Sequence, residues 1–294
     1  MSRALARKFE IYNIILIYNL NEMKMEYSLY TQAKYRGKLK EFNLEESRPS
    51  IIPMDPGSLK RQEIHTDVKD KEAYRRAMGS LLYLATNTRP GIAVGTSILA
   101  RHVSDSTEAD CVEVKRLFRY LKHTKQMKMK LGNTEEQQSN SLTVFVDADW
   151  GGDVEDRESS SGYFFRYLGA TVAWTSRKQS MITLSSTEAK YIALAEALQE
   201  AVWIRRLLAD LDQNISGPTV IFEDNQNCIR LLKNDKSSSR TKHIDIKYHF
   251  VRDLYRSGDT DVKNCPSEQM TANLLTKPLE AVKTRQFVVN IGFV

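Results

Sequence analysis

The chain has 294 residues, of which 41% are hydrophobic and 27% are charged, so it can bury a sizeable core in one large or two ordinary domains. Its net charge is +6. It has only three cysteines, scattered along the chain, and this excludes a disulfide scaffold, argues against a zinc site and fits a reducing compartment. The longest apolar run, Ile14 to Tyr18, is too short to cross a membrane, so we expect no membrane partner.

The first part of the chain predicts a mainly helical region after an ill-defined start. Residues 1–47 contain only short, mixed patterns, and the Pro-rich segment 50–57 is typical of a linker. Apolar residues at helical spacing then predict three helices. They run from Ala73 to just before Arg89, from about Ile92 to Val103, and onward from about Thr107.

Positive charge is concentrated in this first part. Residues 1–130 hold 24 Lys+Arg against 15 Asp+Glu, whereas the remainder holds 19 against 22. One face of the third predicted helix is basic, and it either contacts the phosphates of a nucleic acid or is a solvated lysine surface. The candidate nucleic-acid-binding residues on that face are Lys115, Arg116, Arg119, Lys122 and Lys125.

The polar segment 133–140 is the clearest domain boundary, because the hydrophobic pattern changes after it. Short apolar runs then predict strands at 142–146, 162–168, 170–176, 219–222 and 261–265. Longer amphipathic runs predict helices at 186–211, 225–232 and 243–255. Ser267 is expected to cap a last helix that ends near Lys277.

This order of elements predicts an α/β fold. Three strands joined by short turns are expected to be antiparallel neighbours, and a fourth strand reached across a long helix can pair parallel to the first. The sequence therefore predicts a mixed five-stranded sheet flanked by helices and preceded by a mainly helical region.

Three carboxylates lie where such a sheet would gather them. Asp147 follows the first predicted strand, Asp224 follows the fourth, and Glu188 lies in the first turn of the long helix. Clustered carboxylates need compensating charge, which a pair of Mg²⁺ ions supplies through oxygen ligands. Such a pair activates water and stabilises the leaving oxygen of a phosphodiester.

Each of these acids also has a purely structural interpretation. Glu188 closes a possible capping box that begins at Ser185, and Asp224 is a possible helix N-cap. Asp147 and Asp149 precede two glycines and fit a turn. The pattern alone leaves both interpretations open.

Several motifs in the second half resemble the ribonuclease H domain of copia-type retrotransposon polyproteins, in order and in spacing. The resemblance covers roughly residues 141 to 280. The motifs are VDADWGGD (146–153), DRESSSGY (156–163), AWTSRKQ (173–179), LSSTEAKYIAL (184–194), EDNQ (223–226), SRTKHIDIKYHFVRD (239–253) and LLTKPL (274–279).

Two segments upstream are similar to the connection between polymerase and ribonuclease H in the same polyproteins. These are YRRAMGSLLYLATNTRP (74–90) and RLFRYLKHT (116–124). The polymerase's own YVDD-like motif is absent from the sequence, so we expect no reverse transcriptase activity. The resemblance divides the chain into a polymerase-thumb remnant (1–57), a helical connection (58–132), a ribonuclease H-like domain (141–280) and a C-terminal tail (281–294).

The resemblance implies an endonuclease that cuts the RNA strand of RNA/DNA hybrids by a two-metal mechanism. Asp147, Glu188 and Asp224 match the family's metal ligands, with two Mg²⁺ ions expected and Mn²⁺ possible. Other parts of the polyprotein are implied partners. The implied location is a cytoplasmic virus-like particle or the nucleus, without secretion.

One departure from the family pattern concerns the fourth catalytic position. Asn273 stands where a carboxylate is usual, and an amide offers a carbonyl oxygen but no charge. An alternative therefore stays open, in which the chain is a catalytically weakened or inactive nucleic-acid-binding relic of the same element.

Overall fold

The computed structural model describes residues 39–58, 66–130, 140–153, 156–213, 215–233 and 245–294. The start of the predicted thumb remnant, most of the predicted boundary segment 133–140 and the first two residues of the helix predicted at 243–255 lie outside these ranges. The chain divides into two compact units. The first comprises Met1–Lys130 and Lys277–Val294, and the second comprises Leu131–Thr276.

The described elements follow the predicted order closely. Helices α1 to α3 span Lys71–Asn87, Ala93–Leu99 and Glu108–His123, with 3-10 turns at Pro90–Ile92 and Ala100–His102. Strands β1 to β3 span Leu142–Asp149, Ser160–Tyr167 and Ala170–Lys178. The remaining elements are α4 (Ser186–Asp210), β4 (Thr219–Glu223), α5 (Gln226–Lys233), α6 (Asp245–Arg256), β5 (Thr260–Asn264), a 3-10 helix at Thr271–Leu275, and α7 (Ala281–Asn290).

Polar caps fix the helix starts in the first unit. The Asp70 side chain accepts a hydrogen bond from the Ala73 amide at the start of α1. Thr107 and Asp110 form a reciprocal capping box at the start of α3. Such caps satisfy amides that have no partner within the helix. Between the caps, buried residues such as Leu81 and Leu117 form the core of this unit.

The C-terminal residues, which the sequence predicted as a tail (281–294), belong to the first unit. They form helix α7, and the chain then pairs with the segment after α3. The Lys128 amide donates to the Val294 carbonyl at 2.8 Å, and Phe287 and Phe293 are buried.

The second unit contains the predicted mixed five-stranded sheet, in the order β3-β2-β1-β4-β5. Strands β1, β2 and β3 are antiparallel neighbours, whereas β4 pairs parallel to β1 and β5 parallel to β4. Helix α4, which connects β3 to β4, buries an almost continuous apolar surface from Ala189 to Leu198. None of the helices in the described ranges is long and apolar enough to cross a bilayer.

The last helix predicted for the sheet domain is wrong in kind. Residues 266–270 form tight turns, and only a 3-10 helix follows, at Thr271–Leu275. The hydroxyl of Ser267, which was expected to cap a helix, instead donates to the side chain of Asp224 at 2.7 Å. A tertiary contact has therefore replaced the local cap that the sequence suggested.

Candidate active site

Two aspartates lie at the carboxyl ends of neighbouring parallel strands. β1 and β4 pair with Phe145 opposite Phe222. Asp147 lies two residues after Phe145, near the end of β1, and Asp224 lies two residues after Phe222, directly after β4. Side chains two apart along a strand share a face, so this register brings together two acids that are 77 positions apart in sequence.

The ammonium of Lys190 bridges the two aspartates. Lys190 lies one turn into α4, and its side chain is only 12% exposed. Its Nζ donates to Asp147 Oδ1 at 2.5 Å and also to Asp224 Oδ1. A single buried positive charge therefore compensates both carboxylates, which is the condition under which acids tolerate burial.

The other oxygen of each aspartate is held by a hydroxyl from the segment after β5. Thr276 Oγ1 donates to Asp147 Oδ2 at 2.5 Å, and Ser267 Oγ donates to Asp224 Oδ2 at 2.7 Å. Each carboxylate thus has one oxygen on the shared ammonium and one on its own hydroxyl. Four contacts of this kind fix the orientation of both carboxylates.

A glycine in β2 permits the close approach of that segment. Gly162 pairs with Asp147 across the β1–β2 ladder. A Cβ atom at this position would lie 2.6 Å from Thr276 Cγ2 and 2.8 Å from the backbone carbon of Leu275. Because only a residue without a side chain fits there, Gly162 is the reason that Thr276 can reach Asp147.

Glu188, the third predicted metal ligand, takes the contacts of a helix cap. Its amide donates to Ser185 Oγ at 3.2 Å, and its Oε2 accepts from the Leu184 amide at 2.7 Å. The structure joins Asp147 and Asp224 through Lys190. The Glu188 carboxylate bonds to the Leu184 amide rather than to the Ser185 amide that a capping box would use.

Asn273 supports the site indirectly, through Ser267. Its side-chain nitrogen donates to the carbonyls of Met270 at 2.9 Å and Ser267 at 3.2 Å. Ser267 in turn holds Asp224. The amide therefore holds the turn that carries the Ser267 hydroxyl, and its nitrogen contacts neither aspartate.

The electrostatics of the pair follow from burial and from Lys190. Burial alone would raise the pKa of Asp224, but hydrogen bonds from Lys190 and Ser267 outweigh it and leave that pKa below its ordinary value. Burial would likewise lower the pKa of Lys190, but the charge of Asp147 raises it above its ordinary value. At neutral pH the site therefore holds ionised Asp224 beside a fully protonated lysine.

A third acid, Glu223, lies directly beneath this pair. It is fully buried, and its Oε1 lies 3.8 Å from Lys190 Nζ and accepts from the Asn225 amide at 2.9 Å. Burial raises the pKa of Glu223 well above its ordinary value, because these two partners only partly offset the loss of water. Glu223 thus belongs to the site as an acid that holds its proton more strongly than an exposed glutamate.

The arrangement of Asp147 and Asp224 fits one cation. Their Oδ1 atoms already meet at a single positively charged atom, and carboxylate oxygens are the ligands that Mg²⁺ prefers. Within the described residues, no group of three or more Asp, Glu, His or Cys side chains is arranged to hold a metal ion.

Sequence reasoning missed Lys190, Glu223, Ser267 and Thr276. Glu223 adjoins the predicted ligand Asp224, so its position carried a usable signal once strand register was assumed, whereas the placement of Lys190 depends on the rotation of α4 about its axis. Ser267 and Thr276 carried none, because their contacts depend on a loop path that no periodicity describes.

The predicted basic face of α3, in the first unit, divides into two groups. Lys115 and Lys125 are exposed. Arg116 pairs with Glu113 at 3.0 Å, Lys122 donates to the carbonyl of Ser47 at 2.8 Å, and Arg119 is half-buried. Part of the predicted phosphate-binding face is therefore engaged within its own unit.

Comparison with known proteins gives relatives but no matching protein-family model. The chain is 37% identical over 253 residues to the retrovirus-related Pol polyprotein from transposon RE1 of Arabidopsis thaliana, covering 85% of this chain and 17% of that polyprotein. It is 41% identical over 131 residues to the secreted RxLR effector protein 161 of Plasmopara viticola, covering 45% of this chain and 90% of that protein. The solved structure of LC11-RNase H1, isolated from compost, matches 47% of this chain and 93% of its own at 16% identity, with a TM-score of 0.37.

The sheet order, with two aspartates at the shared edge of β1 and β4, gives the second unit a ribonuclease H-like fold, as the sequence predicted. The chain belongs to the family of retrovirus-related Pol polyproteins of copia-type transposons. It spans 17 to 19% of the length of these curated relatives.

Proposed function

We propose that the second unit is a ribonuclease H-type endonuclease that hydrolyses the RNA strand of RNA/DNA hybrids within a retrotransposon Pol polyprotein. The observation that carries this proposal is the meeting of Asp147 and Asp224 at one cation position on the sheet edge. Mg²⁺ is the proposed cofactor, with Mn²⁺ as the alternative. When bound there, a divalent cation supplies a water of lowered pKa and neutralises charge on the phosphodiester.

The protein's own groups have distinct tasks in this proposal. Asp147 and Asp224 would hold the cation, while Thr276 and Ser267 keep their carboxylates in a fixed orientation. The two-ion version also needs the carboxylate of Glu188, which can keep the bond from the Leu184 amide on Oε2 and offer its other oxygen to a cation. The contacts of Asp147 and Asp224 with Lys190 therefore support one ion, and a second ion would depend on Glu188.

The hybrid itself would be recognised mainly by shape, sugar 2′-hydroxyls and phosphates rather than by base sequence. The exposed Lys115 of α3 and the exposed Lys125, just after the helix, are proposed as phosphate contacts. Other parts of the same polyprotein are the proposed partners.

A second candidate function is hybrid binding without cleavage. Two observations favour it: Lys190 already neutralises the acid pair, and Asn273 brings an uncharged amide to the supporting turn. Loss of one acid lowers metal affinity, but the fold and the basic residues would still bind a polyanion.

The two candidates are separated by measuring cleavage and binding together. A hybrid with a labelled RNA strand is incubated with the full chain and Mg²⁺ or Mn²⁺, and binding is followed by fluorescence anisotropy over a range of salt. Asp147→Asn and Asp224→Asn are expected to abolish cleavage. Asp261→Asn, at an exposed ion pair with Lys263 in the same unit, is the control and should retain it.

Each outcome decides between the proposals. Cleavage that persists in both aspartate variants refutes the nuclease site. Salt-sensitive binding with no cleavage by the unsubstituted chain supports the binding function instead, and the absence of both refutes both.

A further inference from the structure

The Lys190 ammonium lies where a divalent cation would have to bind. Its Nζ is 2.5 Å from Asp147 Oδ1 and also contacts Asp224 Oδ1. Mg²⁺ binds carboxylate oxygens at about 2.0–2.1 Å. An ion held by the same two oxygens would therefore occupy nearly the same space as the ammonium, and the two positive charges exclude each other.

The ammonium is also a favourable occupant of that position. It is attached to α4, so it competes as a tethered cation whose effective concentration does not depend on the solution. Its side chain is 12% exposed, and Glu223 Oε1 lies 3.8 Å from Nζ. A free ion, in contrast, must shed part of its hydration shell to enter.

We infer that Lys190 sets the metal affinity of this site, by acting as an internal cation that a divalent ion must displace from Asp147 and Asp224. This inference rests on the proposed function, because it concerns the same pair of carboxylates. It adds a residue that limits the site: the acids of this chain are neutralised in advance, and metal binding is an exchange of one cation for another.

The direct test is metal binding by the full chain in which Lys190 is replaced. Lys190→Met keeps an unbranched side chain and removes the charge. We expect Mn²⁺, measured by the loss of the free-ion electron paramagnetic resonance signal, to bind at least about tenfold more tightly to this variant than to the unsubstituted chain. Adding Asp224→Asn to Lys190→Met should remove the gain.

Two further variants control for charge and for folding. Lys263→Met removes a lysine that pairs with Asp261 on the exposed edge strand, and it should leave Mn²⁺ binding unchanged. Lys190→Gln retains an N–H donor toward the carboxylates without the charge. It should give the same direction of change as Lys190→Met, and it answers the question if the methionine variant does not fold.

Equal or weaker Mn²⁺ binding by the folded Lys190 variants would overturn the inference. An equal gain in Mn²⁺ affinity in Lys263→Met would also overturn it, because the gain would then come from the lower net charge of the protein and not from the site. The readout needs no hybrid. If the Lys190 variants gain metal affinity but the protein neither cleaves nor binds the hybrid, the inference stands and the proposed function is refuted. If the protein cleaves the hybrid but the Lys190 variants bind Mn²⁺ with unchanged affinity, the proposed function stands and the inference is refuted.

Discussion

The sheet edge of the second unit and helix α3 of the first unit both carry clustered charge, but they use it differently. At the sheet edge, Lys190, Asp147 and Asp224 are nearly buried and satisfy one another. In and just after α3, Lys115 and Lys125 are exposed, whereas Arg116 and Lys122 bind groups of their own unit. The comparison shows that a charge pattern in the sequence does not by itself identify a binding surface. The burial of each residue is needed to separate charges that pair within the fold from charges that are exposed at the surface.

The largest expected effect concerns the close approach that builds the buried site. Gly162→Ala places a Cβ atom within 3 Å of both Thr276 and the Leu275 backbone, so one of the two segments must move. We expect the free energy of unfolding to fall by about 3 kcal/mol in urea denaturation. Gly79→Ala, in α1 with open space around it, is the matched control and should gain about 0.5–1 kcal/mol. An unchanged Gly162→Ala protein would show that the approach is not tight.

The next effect concerns the turn below Asp224. Asn273→Asp replaces an N–H donor with a carboxylate that faces the carbonyls of Ser267 and Met270. Loss of both hydrogen bonds should lower the free energy of unfolding by about 2 kcal/mol in chelator. Millimolar Mg²⁺ should recover part of this loss, as thermal melts with and without the ion would show. A variant as stable as the parent in chelator would mean that these bonds contribute little.

A third test uses the buried acid of the site. The pKa of Glu223 is raised in the folded protein, so above about pH 4.5 the folded state holds a proton that the unfolded state has lost. Stability from this group is complete below the unfolded pKa and falls as the pH rises toward the folded value, by up to about 1.4 kcal/mol per pH unit. Glu223→Gln should remove this slope in urea melts between pH 5 and 8. Parallel pH curves for the two proteins would contradict the raised pKa of Glu223.

The smallest effects are expected at the basic residues in and just after α3. Lys115→Ala and Lys125→Ala should each weaken hybrid binding a few-fold and reduce the salt dependence of the binding constant by about one phosphate contact. Lys122→Ala removes bonds within its own unit, so it should lower stability slightly and change the salt dependence little. If Lys122→Ala lost more hybrid binding than Lys115→Ala, our assignment of Lys115 to phosphate contact and of Lys122 to internal contacts would be wrong.

The strands and the meeting of the two aspartates were predictable because they follow from alternation and topology. Runs such as 142–146 and 219–222 have the apolar character of buried strands, and the long helix between them implies a parallel return. Parallel pairing then puts Asp147 and Asp224 at one edge, whatever the details of the loops.

The contacts that complete the site were not predictable in the same way. Whether Glu188 or Lys190 faces the acids depends on the rotation of α4 about its axis, and a cap at Ser185 and a ligand at Glu188 leave the same sequence pattern. The path of residues 266–276 depends on Gly162, which lies more than 100 positions away. Long-range packing of this kind has no local signature.

Helix α7 belongs to the first unit although it follows the second unit in the sequence. The second unit is therefore inserted into the first along the polypeptide. The first unit is therefore discontinuous, and its last helix is translated only after the whole sheet has been made. A stop codon after Thr276 would leave every strand intact and yet remove buried Phe287 and Phe293 from the other unit. A shortened copy that ends there would thus lose part of the core of its N-terminal unit before it lost any residue of the aspartate pair.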